Sequence, residues 1–566
     1  MFLDSVHKIA SAVRAAVAPP LIRTRSKRVA RTATTVAGAT AVLLAVAACS
    51  GGSPSASSTP THGGTLVYAS GDAEPTCLDP HVGGNYPQAL LASQYIEELV
   101  TMGSDRKAQP ALATSWTTSS DGRTWTFHLR EGVAFSDGTP FDAAAVVRNI
   151  EHVQDPATAS STGYLALGAI TTATATDAHT VTLRLSRPDS ALLESLSQPW
   201  VGIESPKALA RSQATNCASP VGTGPFVVTK WVHGDHVSLT RNTHFTPLGN
   251  SSTKPRLSGI TWRFLPDSTS RYAALKSGQV DVIDNAQPDQ LHAASSTGSI
   301  RDLDAPRPGA SNRLELNSGH GVFRDEQVRK AFIAGAQIDP GIRSLFLGTA
   351  KRSYSVLSSV EPLAVSDKRL FSSSPATAKR LLDADGWKVG SDGVRTKDGQ
   401  RLTVTFPVST NQSIPAERSL FQQIQASEKA VGFDVRIDQL DLSSWYAALA
   451  ANHYDVVSAP YTKVGPDVLR ILYDSASITP APSGYFANLA QLSEPQLDAE
   501  LEQAARTTDP TTRSTLYAEA QHRILTSRTV LPLYDQQNQF LYRSSVHGIT
   551  TTSVSTPDFG TAWIDH

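Results

Sequence analysis

The sequence predicts an α/β protein of two or three domains, preceded by an export signal. Of its 566 residues, 518 remain after residue 48, which is more than one hydrophobic core accommodates. Strand and helix patterns alternate between residues 308 and 530, as they do in α/β domains. An uncharged apolar segment that ends at Cys49 indicates the export signal.

The first 48 residues have the layout of a secretory signal peptide. Basic residues come first, and no ionisable residue lies between Thr32 and Ala48. Small residues stand directly before Cys49, so this end resembles the lipobox of bacterial lipoproteins, and we expect cleavage after Ala48 and acylation of Cys49. The apolar run is shorter than the roughly 20 residues of a membrane-spanning helix. A buried alanine-rich helix is the alternative.

Residues 49–62 are rich in Ser, Pro, Thr and Gly, a composition typical of a flexible tether. Two or more acyl chains on one cysteine give stable membrane anchoring. The protein is therefore expected outside the cytoplasm, anchored to the cell membrane as a lipoprotein.

The charge of the exported part excludes some partners. The chain has 50 Lys and Arg against 51 Asp and Glu, of which seven bases and one acid lie in residues 1–48. The remaining 43 bases and 50 acids give a net charge of about −7. Nucleic-acid binding needs clustered Lys and Arg, which this part lacks, so no nucleic acid is expected as a partner.

Two cysteines, Cys77 and Cys217, remain once Cys49 carries lipid. An even number of cysteines in an oxidising compartment favours pairing, so we expect a disulfide that closes a loop of 140 residues. Two buried free thiols are the alternative. We expect neither a metal site nor a cofactor.

Hydrophobic periodicity predicts the elements of the first half. Strands are expected at 64–69, 124–129, 180–185, 237–240, 260–264 and 280–283, with a further one after the Gly-Thr-Gly-Pro turn at 222–225. Helices are expected at 88–100, from the N-cap Asp142 through Ile150, and at 268–277 before the stop signal Gly278.

The second half is more helical. Helices are expected at 326–336, 375–384, 417–431, 443–451, 494–507 and 511–526. Strands are expected between them at 402–406, 433–437 and 454–458.

Eight motifs occur in an order that matches a known family. They lie at 77–81 (Cys-Leu-Asp-Pro-His), 110–116, 121–130, 135–142, 220–226, 277–282, 323–331 and 378–387. With them, from about Gly64 to near its end, the chain resembles the oligopeptide-, dipeptide- and nickel-binding class of ABC-transporter solute-binding proteins, the family 5 extracellular solute-binding lipoproteins. Taken singly, most of these motifs serve turns and cores, so they identify the fold and do not mark the ligand site.

The resemblance implies an α/β, two-lobed periplasmic-binding-protein-like fold of type II, with an extra domain inserted in the N-terminal lobe and a hinged cleft. The implied boundaries are 63–110, 222–307 and 533–566 for lobe one, 111–221 for the inserted domain and 308–532 for lobe two. Ligand would lie in the cleft between the lobes.

In this family the loops that correspond to 83–86 and 460–467 face the ligand. The candidate ligand-binding residues are accordingly Asn85, Tyr86, Asn317, Tyr354, Ser458, Tyr461, Asp467 and Asn488. Tyr461 could stack on a ligand and offer it a hydroxyl; the alternative is a tyrosine that closes the core of its lobe.

One position departs from the family pattern. Peptide binders that hold an α-amino group carry an aspartate in the second loop, where this chain has Val464. Either Asp467 turns inwards to pair with the amine, or the ligand is not held by its free amine. The neighbouring Lys463 would suit a carboxylate or a phosphate better.

The predicted function is a non-enzymatic receptor that captures a peptide or peptide-like solute and delivers it to an ABC permease. The permease and its ATPase subunits would be separate chains, and the receptor a monomer. A glycan, a chelated metal or haem is the alternative ligand class. An exported chain could also be a secreted hydrolase or a cell-envelope interaction protein, but this sequence has no Gly-x-Ser-x-Gly, His-Glu-x-x-His or phosphate-loop motif.

Overall fold

The computed structural model describes residues 60–248, 254–458 and 460–565. The expected signal peptide, the acylated Cys49 and most of the tether lie outside these residues. The described elements belong to one compact unit, residues 58–566. Within the described residues, no helix combines the length and hydrophobicity that crossing a membrane requires.

A seven-stranded mixed sheet forms the first lobe. Its strands, in spatial order, are Ile300–Pro306, Gln537–Arg543, Val282–Ile283, Thr65–Ser70, Gly259–Phe264, His236–Arg241 and Phe226–Val232. Thr65–Ser70 runs parallel to Gly259–Phe264, with Thr65 opposite Gly259. Tyr68 stacks on Trp262 with ring centroids 3.8 Å apart, in the core beneath this sheet. The lobe's helices are Tyr86–Ala92, Ser268–Ser277 and Pro288–Ala294.

The helix expected at 88–100 is wrong beyond residue 92. The helix is Tyr86–Ala92, and the chain turns before the strand Val100–Met102. The carbonyl of Tyr95 accepts the Gly224 N–H at 3.1 Å and is therefore not available to a helix. A Cβ on Gly222 would lie 2.1 Å from the same carbonyl oxygen, so the close approach of the two segments requires glycine.

The inserted domain has a four-stranded antiparallel sheet. The strands, in spatial order, are Ala113–Thr118, Thr124–Leu129, Thr180–Leu185 and Ile170–Asp177. The predicted alternation is confirmed at Thr124–Leu129, where Trp125, Phe127 and Leu129 are buried against the helix side. The predicted N-cap is also confirmed, since the Asp142 side chain accepts the Ala145 N–H at 2.9 Å. The domain's helices are Ala143–Gln154, Thr162–Ala166, Leu192–Leu196, Pro206–Leu209 and Gln213–Ala218.

The second lobe combines a three-stranded antiparallel sheet with a parallel strand pair. The sheet has the order Val456–Ser458, Asn312–Leu316, Val530–Tyr534, and the pair is Thr403–Ser409 with Asp434–Leu440. Its helices are Glu326–Gly335, Ile338–Leu345, Pro375–Ala384, Pro415–Lys429, Leu442–Ala450, Val468–Tyr473, Pro495–Arg506 and Pro510–Thr526. The six helices expected here from periodicity are confirmed to within two residues at each end.

Two short segments carry the chain between the lobes. Residues 307–311 lead from strand Ile300–Pro306 into Asn312–Leu316, and residues 535–536 lead back from Val530–Tyr534. The segments pair with each other: the Arg307 N–H donates to the Gln536 carbonyl, and the Gln536 side chain donates to the Ala310 carbonyl, both at 3.0 Å. Few dihedral angles therefore have to change when the lobes move relative to each other.

Candidate functional site

A cavity of about 110 Å³ lies between the two lobes. The first lobe contributes Asp72, residues 84–87, Leu90, Asp284, Asn285, Arg307, Asn538 and Phe540. The inserted domain contributes Ser161, Thr162 and Trp200. The second lobe contributes Gln412, Trp445, Tyr446, residues 460–462 and Tyr485.

A helix start positions the first loop of the cavity. Asn85 caps helix Tyr86–Ala92 by accepting the Gln88 N–H at 3.0 Å. The Trp200 indole of the inserted domain donates to the Asn85 carbonyl at 3.1 Å. Asn85 is therefore held from two sides and directs the next residue, Tyr86, into the cavity wall.

Tyr86 is fixed by the C-terminal part of the chain. Its hydroxyl donates to the Val554 and Ser555 carbonyls, both at 3.1 Å, and accepts from the Asn538 amide. Burial raises the pKa of Tyr86 to about 12, so the hydroxyl stays protonated. The Arg307 guanidinium lies 3.8 Å from the centre of the Tyr86 ring.

Arg307 connects the lobes. Its Nε donates to the Thr462 hydroxyl at 2.9 Å, and its Nη2 donates to the same oxygen. Burial lowers the pKa of Arg307, with Tyr86 and Asp72 opposing the shift. The guanidinium remains charged at neutral pH because its pKa is intrinsically very high. A single cation thus joins the crossing segment, the first loop and the second loop.

Two carboxylates, Asp72 and Asp284, line the first-lobe side of the cavity. The Asp284 oxygens accept hydrogen bonds from the Tyr68 hydroxyl at 2.8 Å, the Ser70 hydroxyl at 2.7 Å and the Gly71 N–H at 2.5 Å. Asp72 accepts one side-chain hydrogen bond, from the Asn285 amide at 2.8 Å. Burial, followed by the nearby Asp284 charge, raises the pKa of Asp72 to about 7.

Aromatic rings cover much of the remaining wall. They are Trp200, Trp445, Tyr446, Tyr461, Tyr485 and Phe540. Tyr461 is 8% exposed, and its hydroxyl has no well-aligned hydrogen bond within the described residues. Burial raises the pKa of Tyr461, and the nearby Thr162 hydroxyl only partly opposes this shift. Such a wall offers flat apolar surface with a few hydroxyl groups at its edges.

Three of the eight predicted ligand-binding residues, Asn85, Tyr86 and Tyr461, line this cavity. Of the others, Asn488 is buried and donates to the Asp474 and Leu492 carbonyls, and Asn317 is buried and donates to the Asn452 side chain. These two amides hold loops of the second lobe.

Ser458 and Tyr354 also lie away from the cavity lining. The Ser458 hydroxyl donates to Asn312 at 3.3 Å across the three-stranded sheet. The centre of the Tyr354 ring lies 4.4 Å from the guanidinium carbon of Arg352. The Tyr354 hydroxyl donates to the Asp339 carboxylate at 3.3 Å. It lines a separate pocket on the second lobe, where Lys368 also lies.

Asp467 is enclosed in a buried ion network and does not line the cavity. It lies 3.0 Å from the Lys463 ammonium and 2.9 Å from the Arg470 guanidinium, and it is 0% exposed. Burial alone would raise the pKa of Asp467, but Arg470 and Lys463 outweigh burial and hold it well below its usual range. Neither the carboxylate nor Lys463 is available to a ligand in this conformation.

Sequence reasoning missed Asp72, Arg307 and most of the aromatic wall. Asp72 follows the first strand by two residues, and Arg307 is the last residue of the lobe-one segment predicted to end there. Both positions are ends of elements that meet at a lobe junction, which is the signal that could have identified them.

In the part of the chain that the structure describes, one cluster of possible metal ligands is present, at Asp79, His81 and His152, outside the cavity. His81 Nε2 is 2.8 Å from the Gly202 carbonyl oxygen and so carries the proton, which leaves His81 Nδ1 to accept from His152 Nδ1 at 3.0 Å. The Asp79 carboxylate accepts the backbone N–H of His81 at 2.8 Å and the side-chain amide of Asn216 at 2.9 Å. Hydrogen bonds therefore satisfy all three groups without a metal ion.

Residues 107–481 match the family described as bacterial extracellular solute-binding proteins, family 5 Middle. Among curated relatives, Protein XP55 of Streptomyces lividans is 28% identical over 492 residues, 85% of each chain. The nickel-binding periplasmic protein of Escherichia coli K12 is 26% identical over 81% of this chain and 86% of its own.

Solved structures agree with this assignment. NikA from Brucella suis in complex with Fe(III)-EDTA is 28% identical, with a TM-score of 0.74 over 89% of this chain and 100% of its own. DppA from Helicobacter pylori in complex with the peptide STSA is 23% identical, with a TM-score of 0.78 over 89% of this chain and 99% of its own, and shares the fold. The predicted two-lobed fold with an inserted domain and a hinged cleft is confirmed. The chain belongs to the family 5 bacterial extracellular solute-binding proteins.

Proposed function

We propose that this protein is the substrate-binding component of an ABC importer, anchored to the membrane through lipid on Cys49, and that it captures a peptide-like solute between its lobes. The observation that carries the proposal is the interlobe cavity, which combines six aromatic rings and Tyr86 with a few fixed polar groups. Cavities of this composition at domain interfaces are typical of small-molecule sites.

The proposed domain boundaries follow the first crossing between the lobes and lie two residues before the second, because strand Val530–Tyr534 still belongs to the sheet of the second lobe. Lobe one comprises 63–110, 222–307 and 533–566, the inserted domain 111–221, and lobe two 308–532. A solute that contacts both lobes stabilises the closed arrangement, because it gains its full set of contacts only there. The closed, loaded monomer would then deliver the solute to a separate permease with its ATPase subunits.

Mass spectrometry of solute released from the gently purified, untagged protein tests this function. We expect a bound small molecule, unchanged after incubation, and a higher melting temperature when it is added back. The Tyr461→Ala variant should retain less of it, because this ring forms part of the cavity wall. Turnover of the solute would contradict the proposal. So would the absence of both co-purified solute and thermal stabilisation across peptide, glycan and metal-chelate panels.

A further inference from the structure

The groups that line the interlobe cavity restrict the chemical class of the solute, an inference that rests on the proposed function. We propose that the cavity selects a compact solute that carries a protonated amine, and that Asp72 of the first lobe binds this amine within the aromatic wall. The amine would thus be recognised from the lobe opposite the loop that holds Asp467.

The size of the cavity limits the solute. A water molecule needs roughly 10–15 Å³ of such space and represents about 30 Å³ of liquid, so a cavity of about 110 Å³ holds roughly nine waters. Nine waters correspond to about 270 Å³ of liquid, which suits a solute of about the size of a dipeptide.

Asp72 is the acidic group of the lining that remains available to a cation. Asp284 accepts three hydrogen bonds from its own lobe, and Arg307 uses its Nε and Nη2 for the Thr462 hydroxyl and its face for the Tyr86 ring. The Asp72 Oδ1 accepts the Asn285 amide, while its Oδ2 has no hydrogen-bond partner among the described residues. The unsatisfied charged group that faces a solute is therefore a carboxylate oxygen.

The rings near this carboxylate favour a cation over a neutral or anionic group. The faces of tyrosine and tryptophan rings attract ammonium groups electrostatically, most strongly where water is excluded. The lining carries two carboxylates and one guanidinium, so its formal charge is −1 when Asp72 is ionised. An amine would neutralise this charge, whereas a carboxylate on the solute could still reach the Arg307 edge.

A bound cation would offset the electrostatic surroundings of Asp72. Burial and Asp284 raise its pKa to about 7, although Asn285, Arg307 and Arg271 act in the opposite direction. An ammonium placed beside it would favour the ionised form. Because binding needs the ionised carboxylate, affinity should weaken as the pH falls below 7.

Calorimetry on the intact protein tests the inference with pairs of probes in which one member carries a protonated amine and the other does not. Met-Leu and N-acetyl-Met-Leu form the first pair, putrescine and 1,4-butanediol the second, and cellobiose and succinate represent neutral and anionic solutes. We expect a free amine to bind at least tenfold more tightly than its uncharged counterpart. For wild type, amine binding should weaken about 25-fold from pH 7.5 to pH 5.5, because a carboxyl group with a pKa of about 7 becomes protonated over this range.

Asp72→Asn keeps the shape of the side chain and should remove both the amine preference and the pH dependence. Asp289→Asn, an exposed acid of helix Pro288–Ala294 outside the cavity, is the matched control and should change neither. Equal binding of charged and uncharged probes, an unaltered Asp72→Asn variant, or a co-purified solute without a basic nitrogen would overturn this inference alone. If no probe binds and no solute co-purifies, the proposed function fails as well.

Discussion

At the scale of single residues, Tyr86 and Glu428 show two outcomes of burying a polar side chain. The Tyr86 hydroxyl forms hydrogen bonds with Val554, Ser555 and Asn538, which connect the first loop to the C-terminal part of the chain. Glu428 is 0% exposed in helix Pro415–Lys429, and neither of its carboxyl oxygens has a hydrogen-bond partner within the described residues. A buried group without partners costs free energy unless it becomes neutral.

Glu428→Gln should stabilise the protein at alkaline pH. Burial raises the pKa of Glu428 well above its ordinary value of 4.5. Above pH 4.5 the unfolded chain ionises at this residue while the folded chain stays protonated, so each pH unit lowers the free energy of unfolding by up to about 1.4 kcal/mol. In urea titrations we expect the free energy of unfolding of the variant to increase relative to that of wild type from pH 5 to pH 8.

The control for this prediction is Glu519→Gln, which removes an exposed glutamate from helix Pro510–Thr526. Its difference from wild type should not grow with pH in this way. A stability difference for Glu428→Gln that is the same at pH 5 and pH 8 would show that the buried group is ionised in the folded state.

The sequence predicted those cavity residues whose positions depend on their neighbours in the chain. Asn85 and Tyr86 follow a recognisable motif and begin a helix, and Tyr461 follows a predicted strand, so their positions could be predicted from neighbouring residues. Asp72 and Arg307 come together only through the three-dimensional arrangement of the lobes. Asp467 looked available because Arg470 and Lys463, one helical turn away on either side, were not recognised as its ion-pair partners.

At the scale of elements, hydrogen bonds and ion pairs hold the inserted domain against helices Pro495–Arg506 and Pro510–Thr526 of the second lobe. Arg187 lies 3.0 Å from Glu502 of helix Pro495–Arg506, and the Ser190 N–H donates to the Ala505 carbonyl at 2.7 Å. These contacts cross the cleft, so they break when the lobes separate and contribute only to the closed form.

Arg513→Ala should weaken solute binding without altering the cavity. The Arg513 guanidinium lies 3.0 Å from Glu194 of the inserted domain, and both side chains are largely buried. Loss of this pair disfavours closure, so we expect solute dissociation, followed by stopped-flow fluorescence, to become at least about fivefold faster. Lys330→Ala, which breaks an exposed pair with Glu326 on the outer face, should leave the rate unchanged. Equal effects of both variants would refute a closure role for Arg513.

At the scale of the whole molecule, the lobes are discontinuous in sequence, and one disulfide joins distant parts of the first half. Cys77 and Cys217 are bonded in the structure across a separation of 140 residues. This bond links the segment before the first loop to the last helix of the inserted domain. Cross-linking a loop of this length restricts the unfolded chain strongly on the loop-entropy model.

The paired substitution Cys77→Ser with Cys217→Ser should lower the free energy of unfolding by a few kcal/mol, up to about 4–5. Solute affinity should be preserved, because neither cysteine lines the cavity. Dithiothreitol should lower the melting temperature of wild type and leave that of the paired variant unchanged. An equal response of the two proteins to the reductant would show that the bond does not form in solution.

The strand Gln537–Arg543 lies inside the seven-stranded sheet, between Ile300–Pro306 and Val282–Ile283. A ribosome synthesises this strand more than 200 residues after both of its neighbours, so the sheet stays incomplete until residue 543 has emerged. In the proposed export, this delay would keep the nascent chain from forming its native first lobe and leave it able to pass unfolded through a translocation channel.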